Sequence, residues 1–223
     1  YISSAKLDSL LINLKASDRK KEIIDISNIN VNISSNTQAQ KAEINAKLSF
    51  KEMYLQLKNS DLNVTSFNYD IAISEVDKAI YAQLRTLLSK SKVVESTSLD
   101  SSIREATISL LSKGIRINIL DLSLKNINLN GDDLKGLNIK SDIKVVEDKN
   151  LATKMIFSSL FILGNIDLDL KSRVSKKILN EIVSNTPLSI SIVDYSKSSG
   201  EDAVLDIFYK RGSLKINGKT IIK

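Results

Sequence analysis

A chain of 223 residues, 26% charged and 42% hydrophobic, can bury a core and is too apolar for a disordered protein. It has no His, Cys or Trp, which excludes His- or Cys-ligated metal sites, the Ser-His-Asp and Cys-His triads, a thiol nucleophile and any disulfide. The net charge of +6 favours anionic partners, phospholipid headgroups or nucleic acid. Only six of the 32 basic residues are Arg, and they are scattered, so no nucleic-acid partner is expected.

The first third of the chain reads as strands. "INVNIS" sets Ile29, Val31 and Ile33 against Asn30, Asn32 and Ser34, and "EINAKLSF" repeats the alternation with Ile44, Ala46, Leu48 and Phe50. The phase then slips, because Met53, Leu55 and Leu57 carry the apolar set in "KEMYLQLK". A second slip separates Leu62 and Val64 from Phe67, Tyr69, Ile71 and Ile73. Long strands bent by bulges account for both, with short strands and tight turns as the alternative.

From Ser74 the period becomes helical, through Val76, Ile80, Leu84, Leu87 and Leu88, with Ser74 and Asp77 resembling a capping box. A polar stretch, "SKSKVVESTS", precedes a second helix over residues 99–113, stopped by Gly114. Strands return on both sides of Asn130-Gly131, a strong hairpin signal, and Asp132 and Asp133 belong to its turn chemistry. Residues 151–163 could be helix or strand, and helix is preferred. "NIDLDLK" is a strand through Ile166, Leu168 and Leu170, and a short helix is expected through Val174, Ile178 and Ile182, ending before Pro187. "LSISIVDY", "AVLDIFYK" and "GSLKING" supply three final strands.

These elements predict an α+β protein, a long, bulged antiparallel sheet with a few short amphipathic helices packed on one face. It reads as a single elongated domain over residues 1–223, with two similar halves divided near 91–100 as the variant.

Candidate chemistry is sparse. Asp167 and Asp169 share a strand face and could hold a hard cation, although the solvated face of a half-buried strand explains them more simply. Ser-x-x-Lys occurs at Ser3–Lys6 and Ser141–Lys144, away from a helix start and without companion motifs. No glycine-rich phosphate loop is present, and no catalytic residue, metal or cofactor is expected. Tyr54 and Tyr69 fall beside the two phase slips, where a twisted sheet could leave an apolar crevice, and they are the candidate groove residues.

The C-terminal "IFYKRGSLKINGK" resembles the end of the YdgA-like bacterial cell-envelope proteins, whose function is unassigned. "FNYDIAISEVDKAIYAQL", "LLSKGIRINILDLSLKNINLNG" and "NIDLDLKSRVSKKIL" are similar to that family in outline. The resemblance implies a periplasmic domain tethered to the inner membrane by an N-terminal helix upstream of this sequence. It brings no catalytic residues. The expected function is therefore a non-catalytic envelope domain binding a lipid or other apolar ligand on a curved sheet. A structural or protein-protein interaction module, pairing through its sheet edges with an envelope partner, is the alternative.

Overall fold

The computed structural model describes residues 2–14, 22–38, 40–56, 61–91, 97–184 and 192–222. Their strands are β1 (Ile2–Leu14), β2 (Glu22–Gln38), β3 (Lys41–Gln56), β4 (Asp61–Asp77), β5 (Ile115–Leu129) and β6 (Asp132–Val145). They continue as β7 (Ile166–Ser175), β8 (Lys197–Ser199), β9 (Asp202–Lys210), β10 (Ser213–Ile216) and β11 (Lys219–Ile222). All eleven belong to one antiparallel sheet that follows chain order from β1 to β7, then β9, β10 and β11, with β8 beside β9. The strands on either side of residues 91–100 pair directly, Leu62 with Leu129 through to Ser74 with Arg116, so the sheet runs unbroken across that point.

Both phase slips lie inside continuous strands. Asn28 in β2, Lys51 in β3, Ser66 in β4 and Lys125 in β5 occupy one level of the sheet, between pairs whose register is unchanged. Asn28 and Ser66 each have φ 53. Each strand shifts its alternation by one residue in step with its neighbour, so the apolar set stays on one face throughout, and neither slip is the bulge of one strand against its neighbour that the sequence predicts. In β6 the answering residues are Lys135, with φ 61, and Gly136, where the register with β5 shifts.

The helices α1 (Lys78–Ser91), α2 (Thr97–Ser112) and α3 (Leu151–Phe157), with a 3-10 helix (Ser159–Asn165), gather at one end of the sheet. There Ala42, Val76, Leu110, Ile115, Val145 and Leu151 form a buried core. Helix α4 (Lys176–Ser184) and the single turn α5 (Ile192–Tyr195) occupy the other end, where Val174, Ile178, Leu179, Ala203, Leu205 and Ile216 form a second core.

Two helix starts differ from the sequence expectation in the same way. Val76 is a strand residue and Asp77, not Ser74, caps α1, its Oδ1 accepting from the N–H groups of Ala79 and Ile80 at 3.0 and 3.1 Å. Val174 is likewise a strand residue, and Ser175 caps α4 by accepting from Ile178 N–H at 3.2 Å. In each case a buried Val satisfies strand and helix periodicities alike, and sheet pairing decides between them.

Residues 151–163 are helical, as α3 and the 3-10 helix, except for the extended Ser158 between them. The described part of "LSISIVDY" is the helical turn α5 rather than a strand. Pro187, residues 188–191 and residues 92–96 of the polar stretch lie outside the described residues.

The chain's end closes the sheet through an Asn side chain. Asn217-Gly218 forms a two-residue hairpin into β11, with φ 49 and φ 84, matching Asn130-Gly131 with φ 52 and φ 90. Asn217 donates its N–H to Asp206 O at 2.7 Å and accepts from Asp206 N–H through Oδ1 at 3.0 Å. Its Nδ2 donates to Tyr195 O and Val204 O at 2.7 and 3.0 Å. One side chain thus bridges the gap between β8 and β10 along the β9 edge.

Candidate functional site

Because paired residues share a face, the register fixes what each face carries. One row runs Val31, Leu48, Tyr69, Leu122, Ile139 across β2 to β6. The next runs Ile33, Ala46, Ile71, Ile119, Ser141, Leu170, Ile207, Ile216. A third begins with Phe50 and Phe67, whose rings stack with centroids 4.8 Å apart, and continues through Leu124, Leu137 and Val174.

Among the described residues the helices seal this apolar face towards its two ends. Leu48, Tyr69, Leu122 and Ile139 belong to neither buried core and are only half-buried, and Ile33 is 43% exposed. An apolar strip therefore crosses the middle of the sheet between α1–α3 and α4.

The opposite face is polar. Asn32, Lys47, Asp70 and Asp121 form one row, and Asn30, Ser49, Asn68, Ser123 and Asn138 another. Lys47 pairs with Asp70 at 2.7 Å, and Asn138 donates to Asp121 at 3.1 Å. Arg116 holds Asp142 in a two-pronged ion pair. Asp167 faces Lys144 and Lys210, with the Lys210 ammonium at 3.9 Å, while Asp169 stands between Asp142 and Phe208. Asp167 thus stands in a row of alternating charge on the polar face, whereas the neighbours of Asp169 are a second carboxylate and an aromatic ring.

Tyr54 and Tyr69 are not brought together. Tyr69 lies in the apolar strip opposite Leu48 and Leu122, whereas Tyr54 pairs with Asn63 on the polar face and lines a hollow with Asp61, Asn126 and Asn128. The signal was present in the sequence, since Tyr54 is out of phase with Met53 and Leu55. Tyr69 is in phase with Phe67 and Ile71. Ser141 and Lys144 also point to opposite faces, so they cannot act as nucleophile and base. Ser141 is buried between Ile119 and Leu170, its Oγ without a partner among the described residues. Ser3 and Lys6 lie in β1.

The ion pairs fix the expected pH response. The hydrogen bond from Arg116 lowers the Asp142 carboxyl below its ordinary range, and that from Lys154 lowers Asp148. On acidification the unfolded chain takes up these protons first. The stabilisation is complete above the unfolded-state value near ~3.9 and is lost as pH falls through the folded-state values. With no His in the chain, urea midpoints should be level between about pH 5 and 8 and fall below about pH 4. Asp142→Asn should show a shallower acid limb than the parent, and an equally steep one would remove Asp142 from the account.

No family model matches the chain, and no curated protein or solved structure shows significant similarity to it.

Proposed function

We propose that the protein is a non-catalytic binding domain that holds an acyl-chain lipid, or another elongated apolar ligand, along the strip between its two helix-covered ends. The observation that carries this reading is the half-buried row Leu48, Tyr69, Leu122 and Ile139, which among the described residues no helix joins to either core. Leaving such a row open to water is costly, at about 25 cal/mol per Å² of apolar surface, and an acyl chain would recover that energy. The resemblance to YdgA-like proteins suggests the setting, a periplasmic domain close to the inner membrane.

Binding of the fluorescent fatty acid cis-parinaric acid tests the proposal. The parent should bind it saturably, and Leu122→Glu should weaken binding at least ~tenfold by placing a charge in the strip. Tyr54→Ala, on the polar face, should leave binding unchanged. Absence of saturable binding, or equal affinity for parent and Leu122→Glu at matched thermal stability, would end the lipid reading. Among the described residues β1 and β11 have open outer edges, which favours strand pairing with a partner as the second reading.

A further inference from the structure

The three most exposed large apolar side chains among the described residues are close together in sequence. Phe157 is 80% exposed, Leu160 70% and Phe161 50%, and Leu163 beside them is 45% exposed. Their segment is anchored on both sides. Leu151 is fully buried, Met155 packs on the same core, and Lys154 pairs with Asp148 at 2.7 Å. Ser158 caps the 3-10 helix by accepting from Leu160 N–H, Tyr209 donates its hydroxyl to Leu163 O at 3.0 Å, and Val146 N–H donates to Asn165 O. The outward display of these side chains is thus built into the fold.

Charge at this end of the sheet is asymmetric. Lys113, Lys149 and Arg211 lie in its turns, exposed and without an ion pair among the described residues. Asp148 and Asp167 are matched by Lys154 and Lys210, Glu75 by Lys144 and Asp142 by Arg116, and Arg104 and Glu105 of α2, which border α3, offset each other, so that in these turns Glu147 stands against the three cations.

We propose that residues 157–163 are a membrane-docking tip that inserts into the surface of a bilayer containing anionic lipid. Phe and Leu side chains offer hydrocarbon without a polar group to be read. The surrounding cations complement anionic headgroups. This contact is separate from occupancy of the apolar strip and would place that strip beside a lipid surface.

Co-sedimentation with vesicles of phosphatidylcholine, alone or mixed with phosphatidylglycerol, tests it. The parent should bind the mixed vesicles at least ~tenfold more tightly than the neutral ones. Phe157→Ser/Leu160→Ser/Phe161→Ser should lose at least ~tenfold in binding to the mixed vesicles. Lys149→Glu/Arg211→Glu should abolish the preference for anionic lipid. Both variants should melt at the parent temperature and bind cis-parinaric acid as the parent does, which separates failure of the tip from failure of the strip. Equal sedimentation of the parent and the apolar-tip variant would overturn the proposal. So would a parent dimer that the apolar-tip variant dissociates, which would assign the segment to self-association.

Discussion

Gly136→Ala is expected to destabilise the protein by about 3 kcal/mol or more, the cost of forcing atoms into a closed site. A Cβ at this position would stand 2.2 Å from Leu124 O and 2.6 Å from Lys125 O. Both atoms are backbone of the adjoining strand, so no side chain can turn aside to relieve the clash. The crowding arises where β5 and β6 change register, at the level of the aligned phase slips in β2 to β5. The measurement is a fall in urea midpoint at unchanged m-value, with Gly164→Ala as the control. A Cβ at Gly164 meets nothing within 4 Å, so that variant should unfold with the parent. A loss below about 1 kcal/mol for Gly136→Ala would mean that β5 can shift away and that the sheet is soft at this level.

Leu151→Ala should cost about 4 kcal/mol, because it removes a fully buried side chain at the meeting point of three elements. Leu151 begins α3 and shares a core with Leu110 of α2 and with Val76, Ile115 and Val145 of the sheet. Its loss would leave a cavity beneath the helix that carries the exposed tip. Phe157→Ala, one helix length away, should change stability by no more than about 0.5 kcal/mol, because that ring has little packing to lose. Thermal or urea unfolding of the two variants in parallel makes the comparison. Equal effects would contradict the division of this segment into an anchor and a displayed tip.

The amino-acid sequence by itself determined much of the local structure. Alternation in "INVNIS" and "EINAKLSF" identifies half-apolar strands, because a side-chain period of two leaves one face for the core. Asn130-Gly131 specifies its hairpin because both positions need positive φ, and Gly114 stops α2 for the same reason, at φ +80. The absence of His and Cys removed whole classes of chemistry. The opposite facing of Tyr54 and Tyr69 was legible too, from their phase relative to Met53 and Phe67.

Tertiary structure alone decided the rest. A phase slip in one strand says nothing about its neighbour. The alignment of Asn28, Lys51, Ser66 and Lys125 at one level comes from inter-strand register, a long-range property. Val76 and Val174 fit strand and helix patterns equally, and pairing with Ala42 and with Leu137 and Ala203 assigns them to strands. Burial was the least legible quantity. "MIFSSLFIL" reads as core by composition, yet Phe157 and Leu160 face outward while the small Ala42 and Ala203 are sealed. A residue's apolarity states what it would gain by burial, but whether it is buried depends on what the fold packs against it.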